Sequence, residues 1–217
     1  MSPPFAVSLH DRVGDALAQL VAVLAIPVLL LALVALIVCA LECGRFATEW
    51  WQRRSRARDH PLRQLAARAV AAPGEAPQLA TQAPTRFAAT AIRQLAAAVS
   101  SARPQAAEYA LADFELAVQK RLDRTRLLVR AGPAIGLMGT LIPLAPGLEA
   151  LSGGDIGQLA SDLRIAFAAT VVGLFVGTVA FALTLTRTRM YTEDLAALER
   201  AAGEVPTDRS TPAAVVV

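Results

Sequence analysis

The sequence predicts an all-α membrane protein with three transmembrane helices, an external N-terminus and an internal C-terminus. Of its 217 residues, 55% are hydrophobic, and the mean hydropathy of +0.46 exceeds that of an ordinary soluble domain. Three stretches without charge or histidine reach the roughly 18 to 20 residues that cross a bilayer. The basic residues are concentrated between and after these stretches, which indicates their orientation.

The first predicted span is 16–41, and it follows an external N-terminal segment, 1–15. It is much longer than the roughly 7 to 15 apolar residues of a signal peptide, so we interpret it as a transmembrane helix. Pro27 lies inside this span, lacks an amide donor and predicts a kink.

Arginine and lysine side chains set the predicted topology. Residues 42–130 contain 15 of the 21 Lys and Arg residues, and residues 187–217 contain four. Because basic residues accumulate on the cytoplasmic side, 42–130 is predicted to be a cytoplasmic segment and 187–217 a cytoplasmic tail, with 149–164 as an external loop. The net charge of +3 therefore reflects membrane orientation, and no nucleic-acid partner is predicted.

The cytoplasmic segment is predicted to be helical, with breaks at its prolines. A short helix is expected over 62–70, and the Pro- and Gly-containing stretch 71–77 is expected to be a loop. Apolar residues at helical spacing indicate a second helix: Phe87, Ala91, Leu95 and Val99. A third begins near Gln105 and, with no breaker before Gly132, is predicted to continue into the second span.

The second span, 131–148, and the third, 165–186, each carry small residues at steps of three or four. Such stripes let helix backbones approach closely in a membrane. Taken alone, they predict helix contact and nothing more. The helix-packing positions are Gly132, Gly136 and Gly139 in the second span, and Ala166, Gly173 and Gly177 in the third.

Pro143 and Pro146 are predicted to kink the second span. Each removes an amide donor and releases the carbonyl four residues earlier, at Gly139 and Ile142. A released carbonyl is costly in hydrocarbon, so this part of the helix is expected to face protein or a wet cavity.

One threonine in each of these spans is a candidate polar group within the membrane. The hydroxyls of Thr140 and Thr170 can bond to the carbonyls of Gly136 and Ala166 in their own helices. Either threonine alone is therefore weak support for a pore.

The two stripes also carry sequence motifs. Residues 132–141 read G-P-A-I-G-L-M-G-T-L, and residues 166–174 read A-F-A-A-T-V-V-G-L. These resemble the A-P-x-x-G-L-x-G-T-V and A-L-x-x-T-x-x-G-L signatures of the MotA/TolQ/ExbB proton channel family, with both threonines in register. The resemblance by motif extends over about 120–189. The large cytoplasmic segment after the first span is similar to the TolQ/ExbB arrangement.

The resemblance implies an inner-membrane stator subunit that forms a homo-oligomeric ring, expected to be a pentamer. Such a ring surrounds the single transmembrane helices of an ExbD/TolR/MotB-like partner whose Asp carries protons. Thr140 and Thr170 would then line the ion path. The proton-motive force would drive transport, envelope work or flagellar rotation.

The residues themselves also require a partner for proton transfer. A relay through hydrocarbon needs an ionisable group, and the second and third spans contain none.

Three positions depart from the family pattern. Ile165 occupies a position where TolQ and ExbB proteins often have glutamate, Pro143 stands where glycine is common, and Val179 replaces a usual proline. These departures leave the subfamily, the energised process and the choice between H⁺ and Na⁺ open.

The sequence leaves one alternative function open and argues against another. A non-conducting membrane scaffold or transporter accessory subunit would use the small-residue stripes for assembly only. An enzyme is not predicted, because the chain lacks a phosphate-binding loop, a nucleophile elbow and paired catalytic carboxylates. Cys39 and Cys43 lack a neighbouring histidine or acidic cluster, so neither a metal nor another cofactor is predicted.

Overall fold

The computed structural model describes residues 4–56 and 61–204, so parts of the predicted segments 1–15, 42–130 and 187–217 lie outside the described residues. The described residues form helices and no strand. The helices are α1 (Pro4–Arg56), α2 (Leu62–Ala71), α3 (Ala76–Thr81), α4 (Arg86–Ser100), α5 (Pro104–Ser152) and α6 (Ile156–Gly203), with a short 3₁₀ turn at Pro73–Glu75.

Three of these helices are long and apolar enough to cross a membrane: α1, α5 and α6. They contain 53, 49 and 48 residues. At a rise of 1.5 Å per residue they are about 70 to 80 Å long, whereas the hydrocarbon core of a bilayer is only about 30 Å thick. Each helix therefore extends well beyond its apolar stretch. The all-helical class and the three candidate spans are confirmed, while the orientation remains a prediction.

The chain divides into two compact units, and α1, α5 and α6 contribute to both. Unit 1 comprises Met1–Glu42 and Thr125–Ala182. In this unit one face of α1 is buried at every third or fourth residue, at Val28, Ala32, Ala35 and Cys39, while large apolar side chains on its other faces are exposed. An apolar exposed surface of this kind is typical of a helix in contact with lipid.

Unit 2 comprises Cys43–Arg124 and Leu183–Val217. Its core is built from alanine and leucine on the short helices α2 to α4, together with parts of α5 and α6. Phe87 anchors this core, because its ring stands edge-on to Phe114 and to Tyr191, with centroids 5.8 and 5.4 Å away. Such edge-to-face pairs add stability beyond the burial of their area.

Four sequence predictions about 62–148 can be compared with this fold. The helices expected at 62–70 and through Phe87 correspond to α2 and α4, and α5 runs into the second span as predicted. The loop expected over 71–77 is wrong in part, because it contains the 3₁₀ turn and the start of α3. Pro73 and Pro77 each stand in the first turn of these elements, where a missing amide donor costs nothing.

A three-residue turn, 153–155, joins α5 to α6. Gly154 adopts a φ of 84°, which is accessible to glycine at little cost. Asp155 then accepts a hydrogen bond from the amide of Gln158 at 2.9 Å and so caps the start of α6. Most of the predicted external loop 149–164 is consequently helical.

Candidate functional site

Glycines bring the backbones of α5 and α6 into direct contact within unit 1. A Cβ atom built on Gly132 would lie 2.7 Å from the carbonyl oxygen of Gly173 and 2.8 Å from the amide nitrogen of Gly177. Cβ atoms in proteins essentially never come closer than 3.0 Å to another heavy atom. Only glycine therefore fits at position 132 with the helices at this separation.

Gly173 occupies the tightest point of this contact. A Cβ atom there would lie 2.5 Å from the carbonyl oxygen of Gly132 and 2.6 Å from the Cα atom of Gly136. Gly136 in turn faces the Cα atoms of Gly173 and Thr170, each 3.3 Å from its own hypothetical Cβ. Four of the small residues singled out in the sequence thus meet along one seam.

The seam continues in both directions through two residues that the sequence reasoning missed. Gly139 lies against Ala169, whose Cβ atom would be 2.6 Å from a Cβ at position 139. Gly177 lies against Pro133, whose Cδ atom would be 2.8 Å away. Ala166 is buried on the same helix. The three-residue offset from Ala166 to Ala169 keeps both on one helix face, which is the signal that would have identified Ala169.

The two candidate threonines are half-buried, and both use their hydroxyl as a donor within their own helix. Thr140 donates to the carbonyl oxygen of Leu137 at 2.7 Å, rather than to Gly136 as expected. Thr170 donates to the carbonyl oxygen of Ala166 at 3.4 Å, as expected. Threonine in a helix has two rotamers whose hydroxyl can reach a carbonyl three or four residues back, and Thr140 adopts the one that reaches Leu137.

Their position relative to the seam follows from the glycine contacts. The Thr170 Cα atom lies beside Gly136, and Gly136 precedes Thr140 by four residues, or about 6 Å of helix rise. The two hydroxyl-bearing residues therefore lie about one helical turn apart along the α5/α6 pair.

Pro143 and Pro146 stand inside α5, which continues through both to Ser152. Neither has an amide hydrogen, so the carbonyls of Gly139 and Ile142 lack the usual helical donor. Gly139 belongs to the seam, and its carbonyl is on the same turn as Thr140. The chain thus combines two hydroxyls and an under-satisfied carbonyl within the same short stretch.

Ionisable groups are missing from this stretch. The apolar parts 131–148 and 165–186 contain no acidic, basic or histidine residue. Within the described residues no group of three or more His, Cys, Asp or Glu is arranged to hold a metal ion. The thiol of Cys39 is buried, and its sulfur lies 4.0 Å from the carbonyl oxygen of Val176.

A polar network in unit 2, which the sequence reasoning also missed, links the ends of α1 and α6 beyond their apolar parts. Arg53 binds both carboxylate oxygens of Asp194, at 2.6 and 3.1 Å. Tyr191 donates its hydroxyl to Glu49 at 3.1 Å. The fully buried Arg187 lies 4.0 Å from Glu49.

The surroundings of Tyr191 raise the pKa of its phenol. Burial, reinforced by the negative charge of Glu49, raises the pKa of Tyr191 from 10.0 to about 12. The sequence gives only a partial signal for this network: Glu49 and Arg53 are four residues apart, and Tyr191 and Asp194 are three apart. Each pair therefore presents its polar groups on one helix face.

Comparison with known proteins gives one positive result. No curated protein and no solved structure matches the chain. The family model for the MotA/TolQ/ExbB proton channel family matches residues 80–199, which include the whole glycine seam and both candidate threonines. This match covers more than half of the sequence, and so the chain belongs to the MotA/TolQ/ExbB proton channel family.

Proposed function

We propose that this protein is the channel-wall subunit of a proton-driven stator in the inner membrane of a bacterium or archaeon. In this proposal α5 and α6 form the wall, and Thr140 and Thr170 line the ion path. The observation that carries the proposal is the family match together with a glycine-tight helix pair whose apolar parts, 131–148 and 165–186, offer hydroxyls and no titratable group.

The hydroxyl geometry favours one protonation state of the carrier. Each threonine hydroxyl has one donor and two acceptor lone pairs. Since both donate to their own backbone, they retain the capacity to accept. They therefore fit a protonated carboxylic acid, which donates, better than an ionised carboxylate, which only accepts. Such a wall would stabilise the protonated, neutral acid within the apolar part of the membrane.

The acid has to come from another chain, because none lies in the two spans of this one. We propose that it is a transmembrane Asp on a single-span ExbD/TolR/MotB-like partner. The subunits would form a closed homo-oligomeric ring, expected to be a pentamer, around that helix. Proton flow through the ring would then energise transport or envelope work.

The topology belongs to the same proposal. With α1 entering from outside, the basic extension after residue 42 and the unit 2 helices would lie in the cytoplasm. The turn at 153–155 would lie outside. Trp50 and Arg54 are both exposed just beyond the apolar part of α1, which suits a position near anionic headgroups.

A scaffold without conduction is the second candidate. It is favoured by one observation, since both threonine hydroxyls already have partners in their own helices and need no pore water. Under that alternative the glycine seam serves assembly alone.

The experiment that separates the two candidates uses the full chain co-purified with its proposed single-span partner. The complex is reconstituted in liposomes with a pH-sensitive dye inside, and proton uptake is measured under an imposed gradient. Thr140→Val and Thr170→Val each remove a hydroxyl at nearly constant volume. If the hydroxyls stabilise the carrier, flux falls about tenfold, the equivalent of one lost hydrogen bond to a reacting group.

Thr178→Val is the matched control. Thr178 lies in the same helix as Thr170 and is exposed, and its hydroxyl donates to Leu174 at 2.8 Å. Its loss is expected to leave flux unchanged. Native mass must show the same oligomer for all variants. Unchanged flux in both Thr140→Val and Thr170→Val, with assembly intact, would support the scaffold.

A further inference from the structure

We infer that unit 1 contains a binding site for a phospholipid with an amine headgroup, such as phosphatidylethanolamine. This inference goes beyond the proposed channel function and does not depend on it. It rests on a groove of about 550 Å³ that is apolar along its length and carries two carboxylates, Glu149 and Asp162.

The apolar part of the groove has the length of one membrane leaflet. On α1 it is lined by residues at every fourth position from Leu17 to Leu29. That distance is about 18 Å of helix, a little more than half of the roughly 30 Å hydrocarbon core. Ile142 and Pro143 of α5 and Ile165 of α6 complete the walls. These dimensions suit an acyl chain that ends near the middle of the bilayer.

The acidic residues stand at the end where a headgroup would be. Glu149 lies within one turn of the C-terminus of α5, and Asp162 lies in the second turn of α6. Both are therefore beside the polar turn 153–155. Phosphatidylethanolamine and phosphatidylglycerol carry the same anionic phosphate, but only the former adds an ammonium group, which two carboxylates attract more strongly than the neutral hydroxyls of glycerol. Arg164 is exposed and is not among the residues that line the groove.

Asp162 is held in place by its neighbours. Gln158 donates its amide to both carboxylate oxygens, at 3.1 and 3.2 Å. Gly147 of α5 is buried beside it: a Cβ atom there would lie 3.5 Å from an Asp162 carboxylate oxygen, an ordinary contact, and 3.2 Å from Leu159. The Asp162 carboxylate therefore packs next to α5 at Gly147. Glu149 is exposed and free to adjust to a ligand.

The test uses the purified full chain and native mass spectrometry. Phosphatidylethanolamine and phosphatidylglycerol with identical acyl chains are added in separate titrations, and the fraction of protein that retains each lipid is measured. The natural chain is expected to retain the amine lipid about fivefold better for each carboxylate that contacts it. Glu149→Gln combined with Asp162→Asn should abolish this preference and leave phosphatidylglycerol retention unchanged or increased.

Two further variants keep the result interpretable. Asp155→Asn removes an acid from the turn without touching the groove, and it should keep the preference. Ala145→Trp fills the groove and should reduce retention of both lipids. Equal retention of the two lipids by the natural chain, or a preference that survives loss of both carboxylates, would overturn the proposal. So would a crosslink from Ala25→Cys to a second copy of the chain, since the groove would then be a subunit interface.

Discussion

Gly173 and Gly132 meet backbone to backbone, so closely that a Cβ atom on Gly173 would lie 2.5 Å from the carbonyl oxygen of Gly132. No rotamer relieves such a clash, because a Cβ atom has a fixed position and a backbone carbonyl does not move alone. The separation of α5 and α6 is therefore set by the absence of side chains at two positions. The positions of the other side chains at the contact between α5 and α6 depend on that separation.

Gly173→Ala is the most direct test of this contact. It should force the helices apart and destabilise the protein by about 1 to 3 kcal/mol, the usual cost of overpacking. The measurement is thermal unfolding in detergent, followed by circular dichroism.

Gly44→Ala is the matched control, because a Cβ atom on Gly44 meets nothing within 4 Å. That control should be neutral or slightly stabilising, as alanine is favoured in helices. Equal melting temperatures for Gly173→Ala and the natural chain would contradict the importance of the seam.

The pair formed by Arg53 and Asp194 gives a second prediction. The side chains are only 15% and 8% exposed, so removal of one partner leaves a poorly solvated charge. Arg53→Ala should therefore destabilise the protein by about 3 kcal/mol. Arg54→Ala, at the neighbouring exposed position, should have little effect.

A double-mutant cycle distinguishes the ion pair from simple loss of packing. Combining Arg53→Ala with Asp194→Ala removes both charges, so the double variant should be more stable than the sum of the single effects predicts. Additive effects would show that the two charges do not stabilise each other.

Much of the fold could be predicted from the sequence, because helical periodicity and charge-free runs are local signals. The continuation of α5 from Gln105 into the second span is one example, since no breaker intervenes. The start of α3 was missed because prolines suggest loops as readily as they suggest first turns. The pairing of Glu49 with Tyr191 could not be predicted, because it depends on which faces of two distant helices meet.

The candidate site could likewise be predicted only in part from the sequence. Spacing placed the glycines on common faces, yet only packing reveals that Gly139 lies against Ala169 and Gly177 against Pro133. The acceptor of the Thr140 hydroxyl depends on a rotamer, and sequence carries little information about the choice between the carbonyls of Leu137 and Gly136.

Tyr191 leads to a prediction about alkaline pH. Its pKa is raised from 10.0 to about 12 in the folded protein, first by burial and then by the charge of Glu49. Between these values the unfolded chain has released the phenolic proton while the folded chain still holds it, so stability falls as pH rises. Below pH 10.0 the contribution is fully present.

Tyr191→Phe isolates this effect. The variant loses the hydrogen bond to Glu49 and should be about 1 kcal/mol less stable at neutral pH, while its ring still packs against Phe87. Chemical unfolding of both proteins from pH 8 to about 12 should show their difference shrinking above pH 10.0. A difference that stays constant over this range would mean that Tyr191 does not titrate as inferred.

Pro143→Ala tests whether the released carbonyl of Gly139 takes part in conduction. The substitution supplies an amide hydrogen that can close the helical bond to that carbonyl, and it should stabilise α5 by up to about 3 kcal/mol. If the carbonyl serves the ion path, proton flux through the reconstituted complex should fall even though the protein melts at a higher temperature.

Hydrogen exchange at the new amide shows whether the helical bond to the Gly139 carbonyl has formed. Pro27→Ala is the control, because Pro27 is likewise inside a helix, α1, but is exposed and does not line the groove that contains Pro143. It should raise stability without reducing flux. A protected amide at position 143 together with normal flux would exclude the Gly139 carbonyl from the ion path.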